Sequence, residues 1–183
     1  MTIYIISGLI IIALVYTLAT YNTLVRRRNA VMEAFSTMDV YLKKRWDLIP
    51  NLVEVVKGYA AHERAALENV VTLRNAAYDN MSANEKIDAN DRLSAGLPGL
   101  IALAESYPDL KASENFSDLS ARLTSVENDI ANARKYYNAV VKSLNTAVEV
   151  FPGSIVAKLF NFKRERFFMI REEDREAVKV DLR

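Results

Sequence analysis

Residues 3–21 read IYIISGLIIIALVYTLATY, and Arg26, Arg27 and Arg28 follow as the first charged side chains of the chain. A helix of these nineteen residues would be about 29 Å long, close to the roughly 30 Å of a bilayer's hydrocarbon. It satisfies its own backbone hydrogen bonds, so it can cross lipid without a partner. Ser7, Thr17 and Thr20 can bond back to helix carbonyls, and Tyr4, Tyr16 and Tyr21 suit the interfacial regions near the two ends. A cleaved signal peptide is the competing reading. It wants a basic segment before the apolar run and a small-x-small cleavage site after it, and neither stands out here. The arginines lie on the C-terminal side, which places that side in the cytoplasm. The expectation is a single-pass membrane anchor, residues 1–22, with its N-terminus outside and the C-terminal domain cytoplasmic.

The rest of the chain is long enough for one domain with a core and short for two. Lys and Arg number 24 against 23 Asp and Glu, so nothing in the balance attracts nucleic acid. There are no cysteines, which removes disulfides, thiol catalysis and Cys-based metal sites together. Five Gly and four Pro in 183 residues leave little material for tight turns, and the composition is that of an all-α protein.

From Leu24 the apolar residues Val31, Phe35, Met38 and Leu42 fall on one helical face, and nothing between Tyr21 and Arg28 would stop a helix that began in the anchor. Pro50 comes next. It either opens a second helix capped by Asp47, making a hairpin, or kinks one long helix. The apolar phase persists across it, at 35, 42, 49 and 56. A compact domain, however, needs antiparallel neighbours, and the hairpin is the expectation, with Asp47, Ile49, Pro50 and Leu52 as a structural hinge. Beyond it, Leu52, Val56, Tyr59, Ala66, Val70, Leu73 and Ala77 keep helical spacing. A third helix is expected over residues 84–106, with Ile87, Leu93, Leu97, Leu100, Ile101 and Leu103 inward and Pro98 disturbing its middle. A turn follows at Tyr107-Pro108-Asp109. The longest clean helix then runs over residues 119–150, with Leu123, Val126, Ile130, Ala133, Tyr137, Val140 and Leu144 inward, and stops at Phe151-Pro152-Gly153. The architecture is an up-and-down antiparallel bundle of about four helices, residues 23–152, followed by an aromatic and basic tail, residues 153–183.

Several strings match a known pattern. They include Asp47-Leu48-Ile49-Pro50-Asn51-Leu52-Val53, Val56-Lys57-Gly58-Tyr59-Ala60-Ala61-His62-Glu63 and Tyr107-Pro108-Asp109-Leu110-Lys111-Ala112. Glu127-Asn128, Ile130-Ala131, Tyr137-Asn138, Asn145-Thr146, Phe151-Pro152 and Phe160 with Phe162-Lys163 continue the series. Together they resemble the LemA family over essentially the whole chain. Trp46 and Phe35 exchange one aromatic for another relative to that pattern. The resemblance implies one N-terminal membrane helix, a soluble bundle of about four helices and no known enzymatic activity.

The residues themselves argue against catalysis. A di-iron carboxylate bundle needs two Glu-x-x-His pairs, and the single histidine, His62, has Tyr59 three residues before it. His62 and Glu63 are adjacent on a helix and point about 100° apart, a poor proton-transfer pair. Gly96-Leu97-Pro98-Gly99 lacks the spacing of a phosphate loop. Lys43-Lys44-Arg45 is a short basic run among acids, and the expectation for it is a helix face rather than a nucleic-acid contact. No catalytic, cofactor or metal residue is assigned. Arg45 and Glu63 occupy otherwise apolar positions and are expected to form a polar layer, with each other or with Glu127 and Arg134.

Two function classes follow: a membrane-anchored scaffold that self-associates, with the lipid bilayer and its own copies as partners, or an adaptor for another membrane protein such as a protease or transporter. For the scaffold, a role in membrane organisation or remodelling is what the family resemblance implies. Five of the seven phenylalanines lie in residues 151–171. The expectation is that Phe160 and Phe162 pack on the chain's own bundle while Phe167 and Phe168 reach a neighbouring subunit, with the membrane surface as the alternative contact.

Overall fold

The computed structural model describes residues 1–60 and 78–168, with Leu100 described in its backbone alone. Every regular element among them is helical: α1 Thr2–Tyr59, a 3₁₀ turn Tyr78–Asn80, α2 Ala83–Ser106, α3 Pro108–Lys111, α4 Glu114–Glu149 and α5 Gly153–Leu159. The expected apolar positions Ala66, Val70, Leu73 and Ala77, the His62-Glu63 pair and the acidic stretch beyond residue 168 lie outside the described residues.

The hairpin expected at Pro50 is not there. α1 is one helix of 58 residues with Pro50 inside it. Asp47 therefore caps no helix; its carboxylate takes the Lys43 ammonium at 2.6 Å, one turn back. A proline inside a helix removes one hydrogen bond and crowds the carbonyl four residues earlier, at a cost of about 3 kcal/mol or more. Ile49, Leu52, Val53 and Val56 are all buried around it. Each is worth roughly 1.5–3 kcal/mol, so packing outweighs the proline several times over. The buried stripe Leu24, Val31, Met38, Leu42, Arg45, Ile49, Leu52 and Val56 runs through residue 50 without losing phase. Tyr59, expected on that stripe, is exposed.

Contacts divide the chain into two compact units. The first is Met1–Thr37 with Ala133–Phe167. In it α1 and α4 run antiparallel. The Arg27 guanidinium donates to the Ser143 hydroxyl at 2.9 Å, and eight residues on, the Phe35 ring meets Tyr137 edge-on at 6.0 Å. Gly153 opens α5 at a tight corner: a Cβ there would lie 2.7 Å from the Ala147 carbonyl oxygen, so the position requires glycine. α5 ends in a Schellman cap. The Phe162 amide donates to Ala157 O at 2.9 Å and the Asn161 amide to Lys158 O at 3.3 Å, with Asn161 left-handed at φ 56°. Asparagine tolerates that region better than other residues with a Cβ, which is why the chain can turn there without glycine.

The second unit is Met38–Asn132 with the chain from Phe168. Asp39 and Arg45 of α1 meet Lys86 and Asn90 of α2 in the same order, so those helices run parallel. Ser82 and Glu85 start α2 with a capping box. Glu85 accepts the Ser82 amide at 2.7 Å, and these bonds to Ser82 hold its carboxyl below the usual carboxylate range. The contribution is present at neutral pH and is lost as the pH falls through that lowered value. Ser82→Ala is expected to destabilise the chain by about 0.5–2 kcal/mol, read as a lowered denaturation midpoint. An unchanged midpoint would mean the box contributes nothing. α2 stops before Pro108 because the residue preceding a proline is pushed out of helical geometry, and Tyr107 sits at φ −119°, ψ 94°.

Candidate functional site

Arg45 is the most buried charge described, 1% exposed. Its guanidinium donates to Asn90 Oδ1 at 2.8 Å and Ser94 Oγ at 2.9 Å, and its Nε lies 2.9 Å from Glu127 Oε1. One side chain of α1 thus ties α2 and α4. Arginine suits this because its planar fork offers five donors in fixed directions. The polar layer expected from the sequence exists, with Glu127 as its carboxylate; Glu63 lies outside the described residues. The layer fixes helix register, because sliding any of the three helices by one residue would strand a charge or an amide in the core.

A second cluster lies six residues, about 1.7 turns, earlier on α1. Asp39 accepts from the Tyr78 hydroxyl and the Lys86 ammonium, each at 2.6 Å. The Lys86 ammonium also sits 4.7 Å from the Tyr78 ring centroid, and Trp46 packs on that ring at 5.3 Å. Burial, followed by the hydrogen bond to Asp39 and its charge, pushes the Tyr78 hydroxyl far above its ordinary value. The fold favours the neutral phenol, so this contribution is complete below about pH 10, the unfolded value, and is lost as the pH rises further. The sequence reading missed this cluster. The signal was Asp39 one residue from Met38 on the buried stripe.

Between α1 and α4 of this unit an open groove of about 500 Å³ is lined by Lys44, Asp47, Asn51, Arg122, Ser125 and Asp129. Its charges are mixed, and Arg122 is held by Asp118 at 2.9 Å. Such a lining presents no field of one sign and no activated nucleophile. Among the described residues no group of three or more His, Cys, Asp or Glu could hold a metal ion.

In the first unit the tail is fastened down. Asn145, buried, donates to the Glu165 carbonyl at 2.9 Å and accepts the Glu165 amide at 2.8 Å, and the Tyr137 hydroxyl donates to the Arg166 carbonyl at 2.9 Å. Burial raises the Tyr137 hydroxyl's pKa, with Glu165 adding to the shift and Arg166 opposing it. Phe160 and Phe162 flank Tyr21 at 4.7 and 5.8 Å. Phe167 is half-buried. Phe168, which belongs to the second unit, is 0% exposed, so the expectation that it reaches a neighbour is overturned: its ring is consumed by the chain's own core. The basic triplet also has partners within the unit. Arg28 lies 5.3 Å from the Phe162 ring centroid, and Arg27 holds Ser143.

The apolar stretch of α1 has none of its spanning window buried against the chain, and by length and composition it can cross a membrane. The geometry is thus a long helix, apolar and bare at one end and packed at the other. Residues 34–182 match the LemA family. The chain belongs to the LemA family. Among its relatives is the magnetosome protein MamQ of Magnetospirillum gryphiswaldense, 23% identical over 89% of this chain and 70% of that protein. The magnetosome protein MamQ 1 of Paramagnetospirillum magneticum is 24% identical over 90% of this chain and 70% of its own length. Protein LemA of Metamycoplasma hominis is 24% identical over 87% of this chain and 73% of its own. None of these LemA-family names is the name of an enzyme. The apolar helix and these relatives suggest a membrane location.

Proposed function

We infer that this LemA-family chain is a membrane-anchored, non-enzymatic helical scaffold that self-associates and helps to organise the membrane holding it. The observation that carries the reading is α1. Its first part exposes Ile3, Ile5, Leu9, Ile10, Ile11, Ile12, Leu14 and Leu18 to the surroundings, and its continuation from Leu24 carries the buried stripe. The anchor and the packed helix are one continuous helix, so the chain's packed part begins where the anchor ends. Confinement to two dimensions raises the local concentration of copies, as tethering does. Met32 and Tyr136 in the first unit and Val40 and Ile101 in the second add exposed apolar surface on which copies can meet. The name magnetosome protein supports a role in membrane organisation. The α1/α4 groove favours a second reading, an adaptor for another membrane protein such as a protease or transporter.

Blue-native electrophoresis of the detergent-solubilised chain separates these. A ladder or one large species containing only this polypeptide is the expected result. A second membrane protein at fixed stoichiometry, with no self-assembly, would replace the scaffold by the adaptor. The orientation follows from Arg26, Arg27 and Arg28: a reporter active only in the cytoplasm, fused after Arg183, should work. Activity of an exterior-only reporter at the same point would reverse the topology.

A further inference from the structure

The corner from α4 into α5 leaves an apolar patch exposed among the described residues. Phe151 is 75% exposed, Ile155 59% and Leu159 72%, with Val150 and Phe160 exposed beside them. Ile155 and Leu159 are one turn apart on α5, while Val156 and Ala157 between them are buried. Burying such side chains is worth roughly 1.5–3 kcal/mol each, so five in one place mark a surface with an occupant.

Position identifies the occupant. α5 sits against the end of the apolar stretch of α1. A Cβ at Gly153 would be 4.0 Å from Thr20 Cγ2, and the Phe160 ring lies 4.7 Å from Tyr21. Thr20 is about 26 Å along the helix from Ile3, which places it at the edge of a hydrocarbon layer about 30 Å thick. The patch is therefore at the depth where α1 leaves lipid. Its rim is basic: Lys158, Lys163, Arg26 and Arg28 are exposed, and Arg164 takes up Glu149 at 2.9 Å. Aromatic and aliphatic side chains ringed by Lys and Arg are what an anionic bilayer surface binds.

We propose that Phe151, Ile155, Leu159 and Phe160 form a second membrane contact, an interfacial foot that inserts into the headgroup and acyl boundary beside the spanning helix. The inference rests on the anchor reading. Two tethers at one depth would restrain the tilt and rotation of α1, which a lone helix leaves to its neighbours.

The chain has no cysteine, so single cysteines report cleanly. Ile155→Cys, Leu159→Cys and Ser36→Cys full chains would carry an environment-sensitive nitrobenzoxadiazole probe. They would be reconstituted into phosphatidylcholine vesicles with about 30% phosphatidylglycerol, with and without brominated acyl chains. Ser36 is the control, exposed on α1 and about 24 Å beyond Thr20. The probes at 155 and 159 should lose about half their emission to brominated lipid, and the probe at 36 almost none. Quenching at 155 and 159 no greater than at 36 overturns the proposal. So does a blue-shifted emission that ignores bromine and turns water-like when the protein is diluted in lipid, because a second copy then covers the patch. Carbonate extraction of the same vesicles separates the failures. A chain released by carbonate sinks the anchor reading and this one, whereas a retained chain with unquenched probes sinks only this one.

Discussion

Arg45→Ala is expected to destabilise the full chain by about 3–5 kcal/mol, measured by the thermal midpoint in detergent. The substitution removes a fork that satisfies Asn90, Ser94 and Glu127 at once. Glu127 is 39% exposed, so water screens its share of the ion pair. The two bonds from the guanidinium to the uncharged Asn90 and Ser94 lie deeper, and the loss of their donor leaves the buried Asn90 Oδ1 unpaired, at about 1–3 kcal/mol, while Ser94 keeps its bond to the Asn90 carbonyl. Arg45→Lys should recover only part of the loss, because its three donors share one nitrogen and cannot span the spread of acceptors that Nη1, Nη2 and Nε reach. Replacing Arg45 and Asn90 together by Met and Leu should cost less than Arg45→Ala alone, since both partners of the buried bond are then gone. A midpoint for Arg45→Ala within a degree or two of the parent would show that the layer does not hold the three helices.

That layer was legible because an arginine broke an apolar spacing, and a charge on a buried stripe must find partners. Its carboxylate was legible too: Glu127 was one of two candidates. What the spacing could not give was the Asn90 and Ser94 side of the fork. Those residues belong to α2, whose rotation about its axis depends on a packing partner rather than on its own pattern. Pro50 teaches the reverse. The unbroken phase at residues 35, 42, 49 and 56 already described one helix, and the structure follows that phase. The hairpin came from expecting a compact domain to turn early. Burial of four apolar side chains around the proline decided the matter, and it is a tertiary quantity. The third helix, expected over residues 84–106, is Ala83–Ser106, and the last, expected over residues 119–150, is Glu114–Glu149; their C-terminal ends were legible because Pro108 and Phe151-Pro152-Gly153 punctuate them chemically, whereas the start of the last helix lies five residues earlier than its apolar stripe. The tail was misread at Phe168. Its composition showed that the rings must be covered, but composition does not say by what.

Phe168→Ala is expected to cost about 3–5 kcal/mol, the usual figure for removing a fully buried ring. For a chain of this length that lowers the midpoint by about 10 °C, read by circular dichroism of the detergent-solubilised protein. Phe167→Ala, at a half-buried position, should shift it much less. The comparison matters for assembly. Truncation after Lys163 would remove Phe168 together with the Glu165 backbone that pairs with Asn145 and the Arg166 carbonyl that takes the Tyr137 hydroxyl. Asn145 would be left buried with its amide unsatisfied, adding about 1–3 kcal/mol. Loss of mass per particle in such a truncated chain would then report unfolding rather than a missing subunit contact. A point substitution on the exposed surface, such as Met32→Asp or Tyr136→Ser, tests self-association without touching the core. If Phe168→Ala instead melts with the parent while its particles become smaller, the ring belongs to a neighbour after all and the tail is an assembly element.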